Sequence, residues 1–100
     1  MSSKAAEAVS KIFEAAKSRE ELCILLDGML TPQELEETVV RWQLMVELTA
    51  GETQRDIAHK LGISLGTIAR GSRLLKYGPS DFRALFERIQ RDLTDDATDR

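Results

Sequence analysis

The stretch that decides the fold is TQRDIAHKLGISLGTIARGSRLL, residues 53–75. Thr53 and Ser64 each precede a segment with helical apolar spacing, and both are residue types that cap helix N-termini. Between the two segments stands Gly62, which ends the first helix because glycine takes a positive φ at little cost. Two short helices joined by Gly-Ile-Ser match a helix-turn-helix.

The small and apolar residues of this stretch stand where two such helices need them. Ala58 permits the second helix to approach closely, while Ile63 and Ile68 fill the wedge between the helices. The sequence therefore predicts a helix-turn-helix over about residues 53–76. Gly71 has no role in that motif, and inside a helix it costs about 1 kcal/mol relative to alanine. Its presence predicts that a packed helix or a bound small molecule approaches the backbone there.

Positive charge is concentrated in the same stretch. From Thr53 to Lys76 there are five basic residues and one acidic residue, whereas the whole chain of 100 residues carries a net charge of −3. A basic segment on an acidic body indicates a polyanion-binding face, the alternative being a solvated helix face. In a helix-turn-helix that binds DNA, the second helix lies in the major groove.

The residues that this docking would turn toward bases or phosphates are the predicted DNA-binding set. They are Gln54, Arg55, Leu65, Gly66, Thr67, Ala69, Arg73 and Lys76. The fork of the Arg55 guanidinium suits O6 and N7 of guanine. A surface ion pair or solvent exposure is the alternative for that arginine. The expected partner is double-stranded DNA.

The rest of the chain predicts further helices and no strand. They are expected at about residues 5–17, 18–29 and 31–50, and after residue 80. Ser18, Thr31 and Ser80 are the expected N-caps of three of them. The predicted fold class is therefore all-α, with about six helices in a single domain over residues 1–93 and a disordered tail over 94–100.

The composition indicates the oligomeric state and the kinds of chemistry that the chain can support. With 42% hydrophobic residues and only five aromatics, one chain of this length buries a modest core, which favours a homodimer. The single cysteine, Cys23 in LCILL, is expected to be buried and excludes an internal disulfide. No signal peptide or membrane span is predicted, which favours a cytoplasmic setting. His59 has no metal-ligating neighbours, and no phosphate loop or nucleophile–base pair is present, so we predict no metal, no cofactor and no enzyme.

Four segments together resemble the tryptophan repressor family. They are LTPQE (30–34), Arg41, GETQRDIAHKLG (51–62) and TIARGSRLLK (67–76), and the resemblance covers roughly residues 28–89. It implies an intertwined, all-helical homodimer that binds L-tryptophan as corepressor and represses transcription at a palindromic operator.

The resemblance also implies a ligand site. Arg41 and Arg70 would sandwich the indole ring, with Thr31 and the backbone near Leu30 beside the ligand and Gly71 at the pocket border. The spacing of Arg41 from Glu37 equally fits an i,i+4 ion pair, and Arg70 equally fits a phosphate contact.

The chain departs from the family pattern at several positions. Leu74 stands where the family commonly has a serine facing the ligand's amino group, and it completes the predicted ligand-binding set. The connection before Thr53 is one residue shorter than usual. Ala58 and Ala69 replace a basic residue and a threonine often used against DNA. Two alternatives therefore stay open: a tryptophan-independent helix-turn-helix regulator, and a helical adaptor protein.

Overall fold

A computed structural model describes residues 3–79 and 81–98, and over those ranges the chain forms six α-helices and no strand. The helices are α1 Lys4–Glu14, α2 Arg19–Met29, α3 Pro32–Thr49, α4 Gln54–Leu61, α5 Leu65–Tyr77 and α6 Phe82–Thr98. The all-α prediction is thereby confirmed for this part of the chain. None of the helices in the described ranges has the length and apolar content needed to cross a membrane.

The chain divides into two compact units, and the boundary between Val39 and Val40 falls inside α3. The first unit contains α1, α2 and the start of α3. The second contains the rest of α3 together with α4, α5 and α6. A single domain over residues 1–93 stays a prediction.

The helix-turn-helix forms through the local signals that predicted it. The Thr53 side chain accepts a hydrogen bond of 3.1 Å from the Asp56 N–H at the start of α4. The Ser64 hydroxyl does the same for the Thr67 N–H at the start of α5, also at 3.1 Å. Between them, Gly62 ends α4 with φ at 65°, a left-handed conformation that strains any residue with a Cβ.

The first helix is shorter than the sequence predicted, ending at Glu14 rather than near residue 17. The cause is the start of the next helix. Ser18 caps α2 by accepting from the Glu21 N–H, and the Glu21 carboxylate accepts from the Lys17 N–H at 2.8 Å. Because the backbone before Ser18 is recruited to this cap, it leaves the helical path of α1.

Two apolar clusters form the core of the second unit, and both use α3. The first consists of Leu44, Ile57 and Ile68, with Leu48, Ala58, Leu61 and Ile63 packed around it. The second consists of Met45, Leu75 and Phe86, with Trp42, Val46, Leu48, Leu74 and Phe82 around it. At about 1.5–3 kcal/mol for each fully buried large side chain, these clusters hold α4, α5 and α6 on α3.

The first unit has no comparable core. Neither α1 nor α2 contains a buried residue, although both carry large apolar side chains. Ile24 is 70% exposed and Met29 is 61% exposed. An open groove of about 350 Å³ runs along Ile12, Ala15, Ala16, Glu21, Ile24 and Leu25. Cys23 is also exposed, so the prediction that this thiol is buried is wrong for the single chain.

The last helix continues beyond the predicted boundary at residue 93 and reaches Thr98. Two i,i+4 ion pairs support it, Arg83 with Glu87 and Arg88 with Asp92. The Thr94 hydroxyl donates to the Gln90 carbonyl one turn earlier. The predicted cap Ser80 and the end of the predicted tail, residues 99–100, lie outside the described residues.

Candidate functional site

The helix-turn-helix is held as one body by its own apolar interior. Ile57 of α4 and Ile68 of α5 are both 0% exposed and meet Leu44 of α3, which is 1% exposed. Ile63 of the turn packs against the same cluster, as the sequence predicted. Because all of these side chains point inward, the opposite sides of α4 and α5 are left for a partner.

The predicted DNA-binding residues lie on that outer surface. Gln54, Arg55, Leu65, Gly66, Ala69, Arg73 and Lys76 are exposed. Thr67 is half-buried, and its hydroxyl lies 2.9 Å from the hydroxyl of Ser64. Leu65, the first residue of α5, is 54% exposed and so presents an apolar side chain at the helix N-terminus. DNA contact by this set stays a prediction.

Most of the basic side chains on this surface have no ion-pair partner among the described residues. Within the described residues, Arg55, Arg70, Arg73 and Lys76 form no ion pair. Lys60 differs from them, because its Nζ lies 2.7 Å from Oε1 of Glu47 on α3. The hydrogen bond and the charge of Glu47 raise the pKa of Lys60 above its ordinary value. The basic surface thus offers guanidinium groups that an anion can bind without breaking an existing pair.

At Gly71 the backbone of α5 lies close against Leu44 of α3. A Cβ added to it would lie 2.6 Å from Leu44 Cδ2 and 3.1 Å from Leu44 Cγ, both below ordinary contact distance. Leu48 Cδ1 would be 3.7 Å away. Of the two reasons considered for a helix-interior glycine, a packed helix is therefore present at this position.

The predicted ligand residues fall in both units. Arg41 and Arg70 are exposed and belong to the second unit, where neither forms an ion pair with a described residue. Arg70 adjoins Gly71, and Arg41 precedes Leu44 by three residues, or about 4.5 Å along the helix axis. Each arginine is thus within three residues, in sequence, of one side of the contact between Gly71 and Leu44.

Leu74, one turn beyond Arg70, is half-buried and packs against the cluster of Met45, Leu75 and Phe86. An apolar side chain in an apolar cluster offers no hydrogen bond to an ammonium group. The departure from the family pattern at this position thus has a packing role within the chain.

Leu30 and Thr31 lie in the first unit, at the junction of α2 and α3. The Thr31 hydroxyl accepts from the Glu34 N–H at 3.1 Å, and the Glu34 carboxylate accepts from the Thr31 N–H at 2.8 Å. Hydrogen bonding to the Glu34 carboxylate, from the Thr31 N–H first and from the Thr31 side chain second, holds the pKa of Glu34 below its ordinary value. The predicted capping box is thereby confirmed, and it fixes the backbone on which the predicted ligand residue Thr31 stands.

Two side-chain contacts of the second unit could not be found in the sequence. One is the Lys60–Glu47 ion pair; the other is the hydrogen bond of 3.0 Å from Trp42 Nε1 to Gln90 Oε1. The Trp42 ring also lies 4.6 Å from that of Phe86 between ring centroids. Lys60 and Glu47 are 13 residues apart in the sequence, and Trp42 and Gln90 are 48 apart. Helical spacing therefore predicts neither contact.

No three histidine, cysteine, aspartate or glutamate side chains converge into a metal-binding group among residues 3–79 and 81–98.

Comparison with known proteins identifies the family. The family model described as Trp repressor protein matches residues 4–90. The chain belongs to the Trp repressor family. A Trp operon repressor homolog of Vibrio cholerae serotype O1 is 35% identical over 82 residues, covering 81% of this chain and 80% of the relative. Another, from Vibrio atlanticus, is 36% identical over 66 residues, covering 65% of this chain and 67% of the relative.

Membership of the Trp repressor family establishes the general class of function. The chain is a helix-turn-helix regulator of transcription that belongs with DNA-binding repressors. The predicted resemblance over residues 28–89 is thereby confirmed, and the family match extends it to residue 4 in the N-terminal direction.

The Gly71–Leu44 contact predicts a specific mutational coupling. Gly71→Ala should destabilise the protein by about 1–3 kcal/mol, since its new methyl overlaps a buried leucine. In a Leu44→Ala background the same change should cost much less, because the space is then open. Urea denaturation measures both increments. Gly28→Ala is the matched control: it is a helical glycine with nothing within 4 Å, so alanine there should be neutral or stabilising. Equal costs of Gly71→Ala in both backgrounds would contradict the contact.

Proposed function

We propose that this protein is a tryptophan-responsive transcriptional repressor, in which L-tryptophan acts as corepressor and orients the helix-turn-helix for a palindromic operator. The observation that carries the proposal is the position of Arg41 and Arg70. Both are exposed, neither has an ion-pair partner among the described residues, and each stands within three residues of one side of the contact between Gly71 of α5 and Leu44 of α3.

The chemistry of two guanidinium groups suits an aromatic amino acid. A planar guanidinium stacks on an aromatic face and contributes about 2 kcal/mol when the contact is desolvated. The guanidinium of Arg70 also suits the ligand's carboxylate through charge-assisted hydrogen bonds. In the second unit, Gly71 and Leu74 belong to the proposed ligand set, and Leu44 fills the space in front of Gly71. Leu30 and Thr31 of the first unit belong to that set by family resemblance.

A ligand at this site would act on the orientation of α5. That helix carries most of the proposed DNA contacts, from Leu65 to Lys76, while Gln54 and Arg55 come from α4. Two-headed repressors of this type read half-sites one helical turn apart, about 34 Å, so a change in the angle of α5 alters the fit to both. L-tryptophan would therefore select the DNA-binding orientation from those that the free protein adopts.

The proposal includes a homodimer as the active form, with a second copy covering the apolar faces of α1 and α2. Those helices expose Ile24, Met29 and Val9 and bury no residue within the chain. Apolar surface of this extent is typical of a protein interface. The buried core of one chain consists of only six described residues, all in the second unit, which fits a fold completed by association. Such a regulator would act in the cytoplasm, with the operator DNA.

A tryptophan-independent DNA-binding regulator is the second candidate. The observation that favours it is the environment of Leu74. Its side chain packs against the cluster of Met45, Leu75 and Phe86 and provides no polar group for the ligand's ammonium. Leaving that ammonium without a partner would weaken binding by about 1–3 kcal/mol. The two candidates share the helix-turn-helix and differ in their response to the amino acid.

A DNA-binding selection from random duplexes, performed with and without L-tryptophan, tests the function directly. We expect enrichment of a palindromic sequence only when L-tryptophan is present. Enrichment that ignores the amino acid would favour the second candidate. Failure to enrich any sequence in either arm would contradict both and leave the adaptor alternative.

Calorimetry tests the ligand site. L-tryptophan should bind with about one molecule per subunit, and Arg41→Ala should weaken binding about tenfold or more because a desolvated cation–π contact is lost. Arg88→Ala is the control, since Arg88 is paired with Asp92 on α6. Heat from no aromatic amino acid at millimolar concentration would remove the corepressor role. An unchanged affinity in Arg41→Ala would remove that residue from the site.

Sedimentation tests the assembly. The wild-type protein should sediment at twice the mass of one chain, and Ile24→Glu should shift it toward the monomer because a charge would be placed in an apolar interface. Glu20→Gln, on an exposed polar position of the same helix, should leave the dimer intact. A monomeric wild type at micromolar concentration would rule out the proposed dimer.

A further inference from the structure

The first helix of the helix-turn-helix is attached to α3 near its beginning, its middle and its end. Four residues, 50–53, connect Thr49 to Gln54, and within them Gly51 has φ at +87°. The next N–H, that of Glu52, donates to the Glu47 carbonyl at 3.2 Å, which closes the turn. In the middle of α4, Ile57 packs against Leu44.

The attachment at the end of α4 is the ion pair between Lys60 and Glu47. It is the one ion pair that joins two helices in the described part of the chain, since the other two lie within α6. The Glu47 side chain is 17% exposed, whereas that of Lys60 is 62% exposed. A carboxylate so shielded from water and salt holds its partner more firmly than a fully exposed one does.

We propose that Lys60 and Glu47 form a latch that holds α4 in a fixed orientation on α3 and thereby sets the angle at which the helix-turn-helix meets DNA. The proposal rests on the proposed DNA-binding function and assigns Lys60 a positioning role. Lys60 lies on the basic stretch, yet its ammonium is turned to α3 and is not one of the phosphate-binding charges.

The geometry explains why one pair has this effect. The short connection fixes where α4 starts, and Ile57 and Leu61 pack its apolar side on the cluster of Leu44. The bond between Nζ of Lys60 and Oε1 of Glu47 adds a polar attachment to α3 at the last turn, which resists rotation of α4 about that apolar contact. Because Ile57 and Ile68 share one cluster, α5 is fixed with α4.

The latch and simple electrostatics predict opposite results for Glu47→Gln. If only charge near DNA mattered, removing a carboxylate and releasing a lysine would strengthen binding to the polyanion. If the pair positions the head, the same change weakens binding, because α4 then samples orientations that do not fit the groove. The sign of this one effect separates the two explanations.

The test uses the duplex selected by the wild-type protein, measured with L-tryptophan present. Glu47→Gln and Lys60→Gln should each weaken binding by about two- to fivefold, the range of a partly exposed ion pair. In the Lys60→Gln background, Glu47→Gln should cause no further loss. Arg83→Gln, which breaks an ion pair inside α6, should leave the affinity unchanged.

The salt dependence of binding distinguishes positioning from phosphate contact. Lys60→Gln should leave the slope of log affinity against log salt unchanged, whereas Lys76→Gln should reduce it by about one. Stronger binding by Glu47→Gln, or a slope lowered by about one in Lys60→Gln, would overturn the latch.

Hydrogen exchange of the α4 amides gives a readout that needs no DNA. Either latch variant should speed exchange at residues 57–61 by about two- to fivefold, and Arg83→Gln should not. Unchanged exchange in both variants would overturn the latch even if DNA binding were intact. If the wild type binds no DNA but exchange responds as expected, the proposed function fails while the mechanical attachment of α4 stands.

Discussion

Helix α5 can lie against α3 as it does because residue 71 has no side chain. The buried Leu44 occupies the place where a Cβ would be, and Leu44 is also the residue of α3 that meets Ile57 and Ile68. One leucine therefore contacts both the interior of the helix-turn-helix and the backbone of α5 at Gly71. The proposed ligand arginines are near this contact in sequence, since Arg70 precedes Gly71 and Arg41 lies three residues before Leu44.

Helix α3 carries more apolar surface than one chain uses. Leu44 and Met45 are buried, but Val39, in the same helix, is 56% exposed. The same imbalance is stronger in α1 and α2, which contain no buried residue. Apolar side chains that stay exposed in one chain can gain stability by packing against a second copy. This is why the proposed dimer matters to the fold as well as to the two-fold symmetry of an operator.

The parts of the fold that were predictable depend on neighbours in sequence. Thr53, Ser64 and Gly62 act within four residues of themselves, and each has the predicted role. Cys23 was predicted wrongly because an apolar neighbourhood in sequence does not determine whether a side chain is buried in the folded chain. Gly71 was recognised as unusual, but its neighbour Leu44 lies on another helix and was not identified. The Lys60–Glu47 pair carries no periodic signal at all, since it depends on how α4 is placed on α3.

The indole of Trp42 has a spectroscopic consequence. It is the only tryptophan in the chain, and its N–H is bonded to Gln90 of α6 while its ring lies 4.6 Å from that of Phe86. Its emission therefore reports on the junction of α3 and α6, with almost no background from other residues. A free indole ligand fluoresces in the same band as Trp42. A titration with such a ligand is therefore better followed by calorimetry, or by a label that emits outside the indole band.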